Sequence, residues 1–262
     1  FISNAGVIVT NDSVVIIDAL GTPALARKLL QKVHAISDKP ISHVIVTHYH
    51  ADHIYGLQVF KEQGATIIAP RGAGEYLGED NAQDRLEERR VSLFPWVDDE
   101  TRLVVPDEII SGEKRLTVGG LDLLLNYQGA AHSHGDLTVL LEQDKVLFSG
   151  DLIFEGRVPF VGDANTRQWL ATLETLVASK PTALVPGHGP AAENPTQSLM
   201  ATRDYIAYLR EKLSTAVEDF TPFAEAYDDI DWSTWEGQPA FAEAHRRNAY
   251  QVYLSLEQES LN

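Results

Sequence analysis

The sequence predicts an α/β protein with two sheets and a helical C-terminal part, and three observations carry that prediction. Strand-like and helix-like runs alternate through the first third of the chain. Three β-rich runs then follow one another without a helix between them, and from Gln197 onward the pattern is helical. No internal repeat or low-complexity tract interrupts this order.

The elements follow in sequence. Gly6 to Thr10 and Val14 to Ile17, separated by Asn11-Asp12, read as a hairpin of buried strands, and Asp18 ends the second of them. Thr22 and Pro23 form an N-cap and first helical residue, and Leu25, Leu29 and Val33 keep four-residue spacing, so a helix is expected to about Ile36. Pro40 precedes a strand from Ile41 to Val46. A helix follows Gly56, and a strand covers Thr66 to Ala69. Residues 75 to 103 are charge-rich around Glu87-Glu-Arg-Arg90 and lack a clear period, which predicts a partly helical surface excursion carrying Phe94 and Trp96. Past Gly119-Gly120, strands are expected at Leu121 to Tyr127, Leu137 to Glu142 and Lys145 to Phe148. Asn165 with Gln168 resembles a capping box ahead of an apolar face of Trp169, Leu170, Leu173, Leu176 and Val177. Thr182 to Val185 is the last strand. The tail, 196–262, is interrupted near Thr221-Pro222 and Asp228 to Asp231; Leu199, Ile206, Leu209 and Leu213 give it a face expected to dock on the main unit, 1–195, making one domain overall.

Composition removes several functions. With 262 residues, 44% hydrophobic and 23% charged, the chain reads as a soluble globular protein. A net charge of −17 would repel a phosphate backbone, so nucleic acid is not an expected partner. Membrane association is not expected either, because no apolar run approaches the roughly 20 residues that span a bilayer. The absence of cysteine excludes disulfides, thiolate metal sites and a cysteine nucleophile. It also suits an oxidising periplasm, the compartment this reading leans to over the cytoplasm. The chain starts at Phe1 rather than methionine, which leaves room upstream for a leader and for one or two strands.

Three of nine histidines fall within six residues, in His48-Tyr-His50-Ala-Asp52-His53, directly after an apolar strand. Four metal-type ligands on one strand-to-helix turn point to a metal far more than to a solvated polar turn, and His with carboxylate suits zinc, with iron or manganese also compatible. His132 in Gly129-Ala-Ala-His-Ser-His-Gly135, Asp151 in Phe148-Ser-Gly-Asp151 and His188 in Pro186-Gly-His-Gly189 lie at the ends of expected strands beside glycine. Each alone is ordinary turn chemistry. With the first cluster they make enough ligands for two ions and a bridging carboxylate.

This His-x-His-x-Asp-His motif, followed by separate His, Asp and His, resembles the metallo-β-lactamase-fold superfamily over essentially the whole chain to His188. The resemblance implies an αββα four-layer sandwich with metals at one sheet edge and a helical C-terminal extension. It also implies His48, His50 and His132 on one zinc ion, Asp52, His53 and His188 on a second, Asp151 bridging, and Asp18 tying the metal loop in place.

The chemistry so implied is hydrolysis of an ester, thioester or amide/lactam-type carbonyl of a small molecule by a hydroxide between two zinc ions, with Asp52 orienting it. No Gly-x-Ser-x-Gly elbow offers a rival nucleophile. The ligand set resembles glyoxalase II and, through His50-Ala-Asp-His-Ile-Tyr-Gly56 and the tail, zinc metallohydrolases associated with bacterial sulfur oxidation and quinoprotein systems. Gly162-Asp-Ala-Asn165 is similar to class B1 β-lactamases. Their ligand cysteine falls on Asp151 and their cationic substrate residue on Phe154, with Arg157 the nearest replacement, so efficient lactam hydrolysis is not the first expectation and a weak or true metallo-β-lactamase is kept as an alternative. A mononuclear iron persulfide dioxygenase is the alternative that shares the first motif; its later histidine is not a ligand, unlike that expected of His188. His134, Phe94 and Trp96 are further candidates for the site wall, and self-association into a homo-oligomer stays open. His34, His43 and His245 read as structural or surface residues.

Overall fold

A computed structural model describes residues 2–261. The first sheet is built from β1 (Gly6–Val9), β2 (Val14–Ile17), β3 (Ile41–Ile45), β4 (Thr66–Pro70) and β5 (Glu108–Ile110) in that spatial order; β1 and β2 are antiparallel and the rest parallel. Interleaved are α1 (Pro23–Ile36), α2 (Ala51–Ile54), α3 (Leu57–Glu62), α4 (Arg71–Leu77) and α5 (Asp80–Ser92). The second sheet contains β6 (Glu113–Val118), β7 (Leu121–Gly129), β8 (Asp136–Leu141), β9 (Val146–Phe154) and β10 (Ala183–His188), ordered β10-β9-β8-β7-β6 with only β10 and β9 parallel. Helix α6 (Thr166–Ser179) precedes β10, and α7 (Pro195–Glu218), α8 (Phe223–Asp229) and α9 (Phe241–Ser260) complete the chain.

The layering follows from side-chain alternation. In β2, Val14 and Ile16 enter the core beneath the helices of the first sheet, while Val15 and Ile17 enter the core between the sheets. A strand buried on both faces must read as a continuous apolar run, which Val14-Val-Ile-Ile17 does. The middle core is filled from both sides, by Ile45 and Ile68 of one sheet and Leu123, Leu125, Leu137 and Val139 of the other. A third core joins β9 to α6 and the tail through Trp169, Leu173, Ile206, Leu209 and Val252. The result is helix, sheet, sheet, helix. Among the described residues no helix is long and apolar enough to cross a membrane.

Several elements differ from the sequence expectation. Strands β5 and β6 are additional: Glu113–Val118 alternates exposed and half-buried residues along a sheet edge, so its charges mask a strand pattern. The excursion contains two helices; α5 has a weakly apolar face whose only buried residues are Ala82 and Leu86. Strand β9 continues past the expected Phe148 to Phe154, and β10 past Val185 to His188. Asp151 and His188 are therefore strand residues rather than turn residues. Their backbone is irregular there, with pairing shifts on both sides of Pro186 and a positive φ of 53° at Gly150.

Candidate metal centre

The ends of β2, β3, β7, β9 and β10 meet at one edge of the two sheets. Thr47, just after β3, joins them: its carbonyl accepts from Leu137 N of β8 at 2.8 Å. A Cβ on Gly150 would lie 2.6 Å from Thr47 Oγ1, so the close approach of the sheets requires glycine there.

Asp18 is the buried anchor. It holds a left-handed φ of 60°, a conformation Asp tolerates better than most residues. Its carboxylate accepts from Thr47 N at 2.7 Å, Thr47 Oγ1 at 2.7 Å and His53 Nδ1 at 2.8 Å. With Nδ1 held by Asp18, Nε2 is the ring nitrogen that a metal can take once the proton favoured by Asp151 is displaced. Because the Thr47 hydroxyl proton is given to Asp18, His48 Nδ1 donates to Thr47 Oγ1 at 3.1 Å, and His48 Nε2 is likewise left open. One carboxylate thus sets two ring tautomers.

The freed atoms converge. His48, His50, His132 and Asp151 form one group and Asp52, His53 and His188 another, with ligand atoms in each within 4.8 Å of one another. His132 Nε2 faces His50 Nδ1 at 3.1 Å. Asp151 reaches into both groups: Oδ2 lies 3.8 Å from His48 Nε2, 3.5 Å from His132 Nε2 and 3.1 Å from His188 Nε2, while Oδ1 lies 3.1 Å from His53 Nε2. Asp52 Oδ2 stands 3.3 Å from His188 Nε2 and 3.8 Å from His53 Nε2. His48, His53, His132 and Asp151 are buried, whereas Asp52 and His188 are partly open to solvent.

The titration behaviour separates the groups. Burial, then the neighbouring His53, hold the His48 imidazole well below its ordinary value, and burial lowers His50 and pushes His132 down to about 3. Burial also opposes charge on His53 and His188, but Asp151 and other carboxylates outweigh it, raising His53 strongly and His188 to about 9. Burial pushes Asp52 up, yet His53 and His188 hold it at about 2. Burial likewise opposes ionisation of Asp151, and His53 and His188 keep it well below the usual carboxylate range.

These residues fit a metal. His48 Nε2 is buried without a hydrogen-bond partner, and His53 Nε2 and Asp151 Oδ1 face only each other at 3.1 Å, a costly arrangement for buried polar atoms unless something else engages them. Five imidazoles and two carboxylates present the nitrogen and oxygen donors that divalent transition ions take.

The surroundings fix ring planes. Phe154 stacks on His188 with centroids 5.0 Å apart and planes at 6°, and Trp169 meets His132 edge-on at 5.1 Å. Tyr49 stacks on Tyr76 of α4 at 4.7 Å. Asp136 organises the loop bearing His132, accepting from Ala131 N, Ser133 N and Ser133 Oγ. Ser3, Asn4 and Asp136 escaped the sequence reading; a Ser-x-x-Asp spacing was the only signal for the last, and nothing marked the other two. Of the remaining candidates, His134 is exposed and pairs with Asp163 at 3.4 Å. Phe94 and Trp96 are 73% and 71% exposed, and the ring contacts around the cluster come from other aromatics. Arg157 follows β9, half-buried, with no partner for Nε.

The chain belongs to the metallo-β-lactamase superfamily, whose family model matches residues 1–188. It is 23% identical to the Metallo-beta-lactamase type 2 of Bacillus cereus over 192 residues, covering 71% of this chain and 67% of that protein. It is 22% identical to the Linear primary-alkylsulfatase of Pseudomonas sp. (strain ATCC 19151) over 236 residues, covering 77% of this chain but 44% of the relative. The stereoselective inverting sec-alkylsulfatase Pisa1 from Pseudomonas sp. shares the fold with a TM-score of 0.75 at 21% identity; the match takes in 97% of this chain and 47% of that one. Superfamily members of these kinds are hydrolases, and the His/Asp cluster makes metal binding the natural use of the site.

Proposed function

We propose that the chain is a dinuclear zinc hydrolase of small molecules, cleaving an ester, thioester or lactam-type bond. The observation that carries this reading is the Asp151 carboxylate, which lies within 3.8 Å of ring nitrogens of both ligand groups. His48, His50 and His132 would hold one ion, Asp52, His53 and His188 the other, and Asp151 both. When bound, two such ions lower the pKa of a shared water and polarise the substrate oxygen.

The chain's own groups do the rest. Asp18 keeps His53 and His48 in the tautomers that offer Nε2. Asp52, held at about 2 and partly open to solvent, is ionised throughout the neutral range and accepts a hydrogen bond from the attacking water, fixing its direction. Phe154 and Trp169 prevent His188 and His132 from rotating away. Arg157, with an unpartnered Nε, is the group proposed to meet a substrate anion; His134, Phe94 and Trp96 are proposed for the wall of the mouth. The extension 196–262 is proposed to fold as one unit with 1–195, since β9 and α6 share its core.

Sulfate-ester cleavage is a second reading. It is supported by the alkylsulfatase relative, and by a shared fold that includes the helical extension. The test is turnover of a lactam, a thioester, a lactone and a primary alkyl sulfate by zinc-loaded and chelator-stripped protein. Zinc-dependent hydrolysis of a carbonyl substrate supports the first reading, and cleavage of the sulfate alone selects the second. Iron-dependent oxygen consumption with a persulfide would contradict both.

A further inference from the structure

The geometry points to Asn4, assisted by Ser3, as a positioning residue for the ligand group formed by Asp52, His53 and His188. This rests on the dinuclear reading.

The end of β10 that presents His188 is poor in side chains able to hold it. A Cβ on Gly187 would lie 1.9 Å from Asp151 Oδ1, and Gly189 has a φ of 96°, so neither position accepts another residue without displacement or strain. Besides its pairing with β9, where Glu155 N donates to His188 O at 2.9 Å, this strand end is held through its carbonyls by a residue more than 180 positions earlier in the chain. Asn4 N donates to Gly187 O at 2.8 Å, and Asn4 Nδ2 donates to Pro186 O at 2.9 Å and to Gly189 O at 2.7 Å. One amide side chain with its backbone N–H therefore engages three carbonyls around His188. Next to it, Ser3 Oγ donates to Asp52 O at 2.5 Å.

Residues 3 and 4 thus strap the backbone of Asp52 to the backbone around His188, the two ligands whose side chains meet at 3.3 Å and which are both partly open to solvent. His48, His50 and His132 are fixed by other means, through Thr47, Asp136 and the ring contacts. The strap therefore acts on one ligand group and not the other. An amide suits the position: Asn4→Asp keeps the shape but replaces the one nitrogen that donates twice with an oxygen facing two carbonyls.

The test is competition between the full-length protein and a chelator for zinc, read as two separate affinities, on wild type, Asn4→Asp, Asn4→Ala and Ser3→Ala. Melting of each metal-free form is recorded alongside. Weakening of the second ion by 10- to 100-fold, of the order seen for partners that orient ligands, with the first unchanged and metal-free melting retained, is the expected result. Ser3→Ala should show the smaller effect, and its milder change keeps the test readable if Asn4→Asp fails to fold. Wild-type affinity for both ions in the variants would overturn the proposal and leave the dinuclear reading standing. Equal weakening of both ions together with lower metal-free melting would reduce Asn4 to a general fold residue and also overturn it. Binding of no more than one ion by the wild type would sink the dinuclear reading and the strap with it.

Discussion

The two ligand groups share Asp151 but differ in the protons a metal must displace. Burial, with the neighbouring His53 acting on all three, lowers His48, His50 and His132, so an ion can enter that group without releasing a ring proton. His53 and His188 are pulled towards the charged form by carboxylates, and His188, raised to about 9, is protonated at neutral pH in the metal-free protein. Removing that proton at pH 7 costs about 3 kcal/mol, at 1.36 kcal/mol per pH unit. The same carboxylates that make a good cation site make a good proton site. Burial, helped by His53, makes the first group ready, and charge balance makes the second conditional.

The comparison can be broken at several points. Asp151→Ala removes the carboxylate common to both groups and should have the largest effect: loss of both ions, and turnover lower by at least about 10³-fold, measured by metal analysis and steady-state kinetics. Asp52→Ala should lower kcat by about 10²-fold with a smaller change in KM if, as proposed, the carboxylate orients the water as well as holding metal. Unchanged kcat at full metal content would remove that role. Asp18→Asn is expected to weaken zinc by about 10- to 100-fold through lost tautomer control, measured by chelator competition.

Further effects concern stability without metal, where two histidines should act with opposite sign. The raised His188 stabilises the metal-free fold below its unfolded value near 6.5, and this contribution is lost as pH rises through about 9. His245, buried among Phe241, Trp232 and Tyr205 in the extension, is lowered to about 4 by burial. Its contribution is present above 6.5 and is lost as pH falls towards 4, by about 3 kcal/mol. His245→Phe should flatten the acid limb of the melting profile, and His188→Ala the alkaline limb.

Much of this was legible in the sequence because the signals were local. The apolar runs of β2 and β3, the Thr22-Pro23 helix start and the His48 to His53 motif each declare themselves within a few residues. Asn165 caps α6 as its spacing with Gln168 implied, accepting from Gln168 N at 3.0 Å. What escaped was non-local. Asn4 looks like any residue ahead of a strand until β10 brings the Pro186 to Gly189 carbonyls to it. Strand β6 hides under the charges of a sheet edge; β9 is apolar on both sides of Ser149-Gly150-Asp151, with Leu152, Ile153 and Phe154 buried, so the polar interruption masked its continuation, and β10 extends through His188 by pairing with it. Sulfate esters were not among the substrates the motifs suggested, since ligand spacing encodes the metal chemistry and not the shape of the mouth.

The most direct test is zinc stoichiometry by elemental analysis from pH 8 down to pH 5, on wild type and His188→Ala. The account predicts two ions per wild-type chain at pH 8, with one lost first as acid competes for His53 and His188, and a variant that holds one ion across the upper part of the range. Simultaneous loss of both ions, or one iron per chain indifferent to His188→Ala, would contradict it.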